Sequence, residues 1–158
     1  MDIPPIEQIK IQAQALVPLV KTLQAELGEE RANAIVRKAL GKQMREWGQQ
    51  WWRAQSEQSP VEKIAALLPF FSAGNAIDYE MIKKTPEALE FNITGCRYAQ
   101  FYKELGVPEL GFLLVCSGDF PMTEGFGAEV QFTRTQTIMQ GASHCDFRYL
   151  LKKEKQEK

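Results

Sequence analysis

The residues best suited to chemistry lie close together near the C-terminus, in the segment 144–148 (His-Cys-Asp-Phe-Arg). The protein's only histidine, His144, precedes Cys145, and Asp146 and Arg148 follow. A thiol can act as a nucleophile, an imidazole exchanges protons near neutral pH, and a guanidinium binds anions. The segment therefore predicts a catalytic or binding site, with Cys145 and His144 as catalytic candidates. An exposed turn histidine without a catalytic role fits the sequence equally well.

Two further cysteines, Cys96 and Cys116, are predicted to lie at the ends of helices. Cys96 is expected at the start of a helix, where backbone N–H groups would lower the pKa of its thiol and favour the thiolate. We expect the three cysteines to meet in one cavity, with Cys96 as another catalytic candidate. The alternative is that all three are small buried apolar side chains, which is the usual role of a free cysteine.

A metal site is the other chemistry that cysteine and histidine could supply. Three thiolates and one imidazole would suit tetrahedral zinc. The chain has no Cys-x-x-Cys pair, however, and the adjacent His144 and Cys145 would point to opposite faces of an extended strand. We therefore expect no metal and no other cofactor.

Arg134 is the strongest candidate for holding an anionic substrate. It shares its strand parity with Val130 and Phe132, so its side chain should face the interior. A buried guanidinium needs an anionic partner, which could be an internal carboxylate or the carboxylate of a ligand. Arg148 has the opposite parity to its neighbour Phe147 and should face the other side of the sheet.

Asp119, three residues after Cys116, and Asp146 are the two acidic residues nearest the cysteines. A carboxylate beside a thiol could act as a general base or hold an amidine nitrogen. The simpler interpretation is that Asp119 caps a helix or turn. Cys116 and Arg148 complete the set as further substrate-binding candidates.

Several short motifs follow one another along roughly the C-terminal third of the chain. They are Gly95-Cys-Arg-Tyr-Ala99, Leu105-Gly106, Cys116-Ser-Gly-Asp119, Phe132-Thr-Arg-Thr135 and Cys145-Asp-Phe-Arg-Tyr149. In this order they resemble the L-2-amino-thiazoline-4-carboxylic acid hydrolase family. All three cysteines and Asp119, the aspartate of the Cys-x-x-Asp pattern, fall on these motifs. The resemblance therefore favours Asp119 over Asp146 for catalysis.

The resemblance implies a hydrolase that opens the ring of a 2-amino-thiazoline carboxylate and releases an N-carbamoyl-cysteine-type product. It implies Cys145 or Cys96 as the nucleophile or the group that orients water. Asp119 would bind the amidinium and Arg134 the carboxylate, with His144 as an acid or base.

Two other classes of function also fit the sequence. One is a non-catalytic domain that binds or senses a small hydrophobic or tetrapyrrole-like molecule, and the other is a metal- or redox-sensing protein. Converging cysteine, aspartate and arginine side chains would favour hydrolysis, whereas a large apolar cavity would favour ligand sensing.

Composition narrows the class of protein further. The chain has 158 residues, of which 44% are hydrophobic and 25% charged, as expected for one globular domain with a core. A net charge of -1 supplies no basic surface for nucleic acid. No signal peptide or membrane span is recognisable. We therefore expect a cytoplasmic protein with reduced thiols, a small-molecule substrate, and no nucleic-acid or membrane partner.

Apolar residues at three- and four-residue spacing predict two long N-terminal helices, at 6–27 and 29–56. Gly28 should separate them, and Pro18 should kink the first or delay its start. Residues 1–58 are thus predicted to form a helical arm that packs on the core or mediates a homodimer.

The rest of the chain alternates between helix and strand periods. The predicted elements are a helix from the capping box Ser59-Pro60-Val61-Glu62 to Phe71, a hairpin at 77–95 that turns at Thr85-Pro-Glu, helices at 96–105 and 109–116, and strands at 128–139 and 145–151 that turn at 141–143. This order predicts a single α+β domain over residues 1–151, with an antiparallel sheet made of two hairpins and a helix pair between them. It is similar to the order in 4-vinyl-reductase-type ligand-binding domains. A charged tail should follow at 152–158.

Overall fold

The computed structural model describes residues 2–153 and confirms the α+β class. The helices are α1 (Pro5–Leu27), α2 (Glu29–Ala54), α3 (Pro60–Ala65), α4 (Leu67–Ser72), α5 (Arg97–Glu104), α6 (Pro108–Leu114) and α7 (Asp119–Phe126). The strands are β1 (Ile77–Thr85), β2 (Ala88–Cys96), β3 (Val130–Thr133) and β4 (Cys145–Leu151). Most of the predicted tail, residues 154–158, lies outside the described residues.

The four strands form one antiparallel sheet in the order β1-β2-β4-β3. β2 and β4 are the central strands, and Phe91 lies opposite Phe147 in their register. Alternate residues of these strands, including Leu89 and Tyr149, are buried in the main hydrophobic cluster. One face of the sheet is therefore covered by helices, as the period-two pattern predicts.

The two N-terminal helices pack along each other and against the domain. α1 buries Ile6, Ala13 and Val20, which are spaced by seven residues and lie on one face. It continues through Pro18 without interruption. Gly28 separates α1 from α2 at a φ of 83°, a backbone conformation that residues other than glycine rarely adopt.

α2 crosses α7 at a distance that only glycine permits. A Cβ atom on Gly48 would lie 2.2 Å from the carbonyl oxygen of Met122, and one on Gly125 would lie 2.3 Å from that of Arg45. The two backbones therefore touch without intervening side chains. This crossing fixes α7, and with it Asp119 at its first turn, relative to the N-terminal helices.

The prediction of one helix from Ser59 to Phe71 is wrong in one respect. The segment forms two short helices that meet at Ala66. The predicted cap is confirmed, since the Ser59 hydroxyl accepts a hydrogen bond from the Glu62 amide at 3.4 Å. Pro69 explains the break, because proline has no N–H to donate to the carbonyl four residues earlier.

The last predicted strand pair is also shorter than expected. β3 covers Val130–Thr133 rather than 128–139. Beyond it, the backbone N–H groups of Thr135 and Gln136 donate to the Asp146 carboxylate at 2.8 and 3.0 Å. Amides that bind a side chain cannot extend the strand ladder, so pairing ends and a 3₁₀ turn at Ile138–Gln140 follows.

Helix α7 was not predicted from the sequence. It contains Pro121 and Gly125, which lower the intrinsic helix propensity of so short a segment. Tertiary contact with α2 stabilises it instead, as the close approach of Gly125 to α2 shows.

The glycine crossing makes a test of this packing possible. We expect Gly48→Ala to lower the free energy of unfolding by about 3 kcal/mol, because the new methyl group overlaps the backbone of α7. Gly41→Ala on the same helix is the matched control, since its Cβ would meet only Pro121 at 3.9 Å. The control should gain about 0.5–1 kcal/mol from helix propensity. Urea unfolding measures both, and equal effects would contradict the crossing.

Candidate functional site

A cavity of about 860 Å³ lies between the sheet and the helices, and five of the seven predicted site residues line it. They are Cys96, Cys116, Asp119, Arg134 and Cys145. Cys96 comes from the end of β2, Cys145 from the start of β4, and Cys116 from the turn after α6. Residues far apart in the sequence thus meet at one wall of one cavity.

Arg134 and Asp119 form a buried ion pair at this wall. Nη1 of Arg134 donates to Oδ2 of Asp119 at 2.5 Å and to the backbone carbonyl oxygen of Cys116 at 3.0 Å. The Arg134 side chain is 4% exposed. Its inward orientation agrees with the prediction from strand parity. The sequence allowed either an internal carboxylate or a ligand carboxylate as its partner, and the partner within the protein is the internal carboxylate of Asp119. Asp119 begins α7 but does not cap it with its side chain.

Three phenylalanine rings surround the guanidinium. The Cζ atom of Arg134 lies 5.2 Å from the ring centroid of Phe120, 5.7 Å from that of Phe147 and 5.9 Å from that of Phe112. The faces of aromatic rings attract a cation when water is excluded. The rings therefore compensate part of the cost of removing the guanidinium from water.

The other two nitrogen atoms of the Arg134 guanidinium have no protein acceptor among residues 2–153. Both hydrogen bonds use Nη1, and neither Nε nor Nη2 donates to a described residue. In the described part of the chain, the fully buried side-chain polar atom without a hydrogen-bond partner is Ser72 Oγ. Since Nε and Nη2 of Arg134 also have no partner there, these two atoms are not fully buried. One edge of the guanidinium thus remains available to an anion inside the cavity.

Burial raises the pKa of Asp119 to about 6, although the charge and hydrogen bond of Arg134 lower it. A quarter of the Asp119 side-chain surface stays accessible, and this surface faces the cavity. A carboxyl group with a pKa near 6 is still mostly ionised at neutral pH, yet it accepts a proton more readily than an ordinary aspartate. The pKa of Asp119 therefore lies in the range that suits proton exchange near neutral pH.

The three thiols are protonated at neutral pH, which corrects the expectation for Cys96. Burial raises the pKa of Cys96 and outweighs the lowering effect of the backbone N–H of Ala99, whose nitrogen lies 3.4 Å from Sγ. Burial likewise raises the pKa of Cys145 to about 11, and it raises that of Cys116 further. Helix amides therefore do not generate a thiolate here, because desolvation is the larger effect.

His144 and Arg148 do not line the cavity. Nδ1 of His144 lies 2.9 Å from the hydroxyl of Ser143, in the turn before β4. Arg148 faces the other side of the sheet, where its guanidinium donates to the carbonyl of Phe91 and the side chain of Asn92. The structure thus separates these two predicted residues from the other five.

Asp146 has a structural role in the loop that carries Arg134. Its carboxylate accepts three hydrogen bonds, from the backbone N–H of Thr135, the backbone N–H of Gln136 and the hydroxyl of Thr135. Burial acts to raise its pKa, but these hydrogen bonds outweigh burial and lower it. The ionised Asp146 side chain therefore holds the loop that follows β3 against β4.

Several apolar residues that line the cavity were not predicted as site residues. Phe147 and Tyr149 alternate with Cys145 along β4, so strand parity could have identified them. Trp47 of α2 and Phe71 of α4 also line the cavity. No local signal distinguishes these two from ordinary core residues, because the cavity arises from the packing of separate helices.

No group of three or more His, Cys, Asp and Glu side chains within residues 2–153 has a geometry that could hold a metal ion. In the same range, no helix combines the length and apolar character needed to cross a membrane.

Comparison with known proteins extends the resemblance seen in the motifs. The family model of the L-2-amino-thiazoline-4-carboxylic acid hydrolases matches residues 8–149, far beyond the C-terminal third. No curated protein matches the sequence.

One solved structure with a similar fold is the crystal structure of the phenol-responsive sensory domain of the transcription activator PoxR with phenol. The TM-score is 0.55 at 12% identity, over 87% of this chain and 73% of that chain. Identity this low shows a shared fold and no more.

The raised thiol pKa values predict slow alkylation. We expect iodoacetamide at pH 7.5 to modify the folded protein at least about tenfold more slowly than the protein in guanidinium chloride, because the thiolate is the reactive form. Mass spectrometry of intact protein counts the modified thiols. One cysteine that reacts at the unfolded rate in the folded protein would reveal a thiolate.

The buried ion pair predicts different effects for two arginines. Arg134→Leu should lower the free energy of unfolding by about 3–5 kcal/mol, because it leaves the Asp119 carboxylate buried without a partner. Arg148→Leu is the matched control and should cost only about 1 kcal/mol, since Arg148 is half-buried, its hydrogen bonds go to neutral groups and its ion pair with Glu90 is long, at 3.9 Å, and partly exposed. Denaturant unfolding compares them, and similar losses would argue against the pair.

Proposed function

Because the chain belongs to the L-2-amino-thiazoline-4-carboxylic acid hydrolase family, we propose that it hydrolyses the ring of a 2-amino-thiazoline carboxylate to an N-carbamoyl-cysteine-type product. The convergence of Asp119, Arg134 and three thiols at one cavity wall is the observation that supports this proposal most strongly. A cyclic amidine that bears a carboxylate needs an anion partner, a cation partner and an acid–base group, and this wall supplies all three.

Arg134 binds the substrate carboxylate through the edge formed by Nε and Nη2. This edge has no acceptor among the described residues, whereas Nη1 is held by Asp119 and the carbonyl of Cys116. A planar guanidinium binds a carboxylate through two parallel hydrogen bonds. The ion pair with Asp119 orients the fork before substrate arrives, so little side-chain entropy is lost on binding.

Asp119 acts as the general base toward water. Arg134 donates to the Oδ2 atom of Asp119, whereas the Oδ1 atom accepts no hydrogen bond from residues 2–153. Water bonds through its oxygen to the amidine carbon, and the carbon–sulfur bond of the ring then breaks. One water proton reaches the ring nitrogen and the other the departing sulfur, with Asp119 as the relay. A pKa of about 6 suits a group that must both accept and return a proton.

The thiols contribute as protonated groups that hold water or substrate, and not as nucleophiles in the free protein. Sγ of Cys145 accepts a hydrogen bond from the backbone N–H of Ile138 at 3.2 Å, which leaves its S–H free to point elsewhere. Burial that raises the pKa of Cys145 to about 11 works against a thiolate. We therefore favour a water-orienting role for Cys145 over covalent catalysis.

The first experiment is to incubate catalytic amounts of the protein with L-2-amino-thiazoline-4-carboxylate and to follow released thiol, with and without a chelator. Turnover in both conditions supports the proposed acid–base mechanism. Turnover that a chelator abolishes would replace it with metal-activated water. No thiol in either condition would contradict the proposed hydrolysis.

The pKa of Asp119 predicts the pH profile of this reaction. Because the carboxylate is the active base, kcat/KM should rise with pH through about 6 and then level off. Asp119→Asn should lower kcat by about 100-fold or more and remove the rise. His144→Gln is the control, since it removes the chain's only imidazole, which lies outside the cavity. A profile that changes in the control but not in Asp119→Asn would move the base to His144.

A second candidate function is a non-catalytic domain that binds a small apolar molecule. The volume and largely apolar lining of the cavity favour it, and the similar fold of the phenol-responsive sensory domain of PoxR is compatible with it. Calorimetry with phenol separates the two candidates. Phenol binding without thiol release from the thiazoline would favour the sensor, and thiol release without phenol binding would favour the hydrolase.

A further inference from the structure

The cavity is larger than the proposed reaction requires. Its volume of about 860 Å³ lies near the upper end of the roughly 300–1,000 Å³ typical of sites for drug-sized ligands. A single five-membered ring with an amino group and a carboxylate would fill only a small part of it. The unfilled part must therefore accommodate either solvent or a further portion of the ligand.

Most of the residues that line the cavity are apolar. The polar exceptions include the ion pair, the three thiols and solvent-exposed side chains such as Gln8, Gln12 and Glu124. The rest of the lining consists mainly of aliphatic and aromatic side chains. A space with few hydrogen-bonding partners is poorly suited to ordered water.

The apolar wall begins directly beside the guanidinium. The ring of Phe147 lies 5.7 Å from Cζ of Arg134 and stacks on Phe91 at a centroid distance of 5.0 Å. The helices supply a second aromatic surface, in which Trp47 of α2 lies 5.9 Å from Phe71 of α4. Aromatic rings therefore line the cavity both beside Arg134 and on the helices that face the sheet.

We infer that the ligand of this site is a 2-amino-thiazoline carboxylate that carries a bulky apolar group, such as an aryl ring, seated between Trp47 and the sheet. The ring that reacts lies at Asp119 and Arg134, and the apolar group occupies the aromatic part of the cavity. The thiazoline portion of this inference rests on the proposed function. The apolar portion rests on the size and lining of the cavity alone.

The test compares L-2-amino-thiazoline-4-carboxylate with its 5-phenyl derivative. Isothermal titration calorimetry gives Kd for each, and kcat/KM from released thiol replaces Kd where turnover occurs. We expect a preference of about 10- to 100-fold for the phenyl compound, because a buried aromatic ring is removed from water. Its binding should also have the more negative heat-capacity change.

Two tryptophans on the same helix provide matched variants. Trp47→Leu removes a ring from the cavity and should reduce the phenyl preference about five- to tenfold. Trp52→Leu removes an equally half-buried ring that stacks on Phe126 at 5.3 Å and does not line the cavity. The preference should stay unchanged in this control. Since the preference is a ratio for one protein, a loss of stability common to both variants cancels.

The outcomes separate this inference from the proposed hydrolysis. Thiol release from both compounds without a phenyl preference would overturn the inference and leave hydrolysis standing. A phenyl preference in binding that Trp47→Leu reduces, without thiol release, would support the apolar site and contradict hydrolysis. A preference that Trp47→Leu does not reduce, or binding of neither compound, would overturn the inference.

Discussion

The buried guanidinium of Arg134 is the constraint on which the site depends. A cation removed from water must find an anion and hydrogen-bond acceptors within the protein. Arg134 obtains them from Asp119 and from the carbonyl of Cys116, which brings the start of α7 and the turn after α6 to the end of β3. Three phenylalanine rings then close around it. The positions of Asp119 and of the Cys116 carbonyl follow from satisfying one charge.

The same burial has opposite consequences for the carboxyl group and the thiols. Desolvation disfavours the charged form of both, so it raises the pKa of Asp119 to about 6 and that of Cys145 to about 11. The carboxyl group thereby moves toward neutral pH, where it can exchange protons. The thiols move away from it and lose nucleophilic character. In one environment of low dielectric constant, the carboxyl group thus has a pKa near neutral pH, whereas the thiols have pKa values well above it.

Helix packing decides how much space remains beside these groups. The glycine contacts between α2 and α7 bring two backbones together on one side of the domain. Trp47, one residue before Gly48 on α2, lines the cavity. The domain therefore combines a polar wall with a large apolar volume. A fold that offers both can serve hydrolysis or ligand sensing.

Sequence patterns are sufficient to predict the α+β class, the long N-terminal helices, the first hairpin, the inward orientation of Arg134 and the family. Each follows from a local period, a parity or an ordered set of motifs. They also identify the cysteines, Asp119 and Arg134, which the structure places on one cavity. Tertiary structure alone decided the rest. Helix α7 exists because glycines let it pack on α2, and β3 ends early because Asp146 takes its next amides. Local sequence cannot show that a helix-start thiol such as Cys96 stays protonated, because desolvation depends on what distant segments place around it.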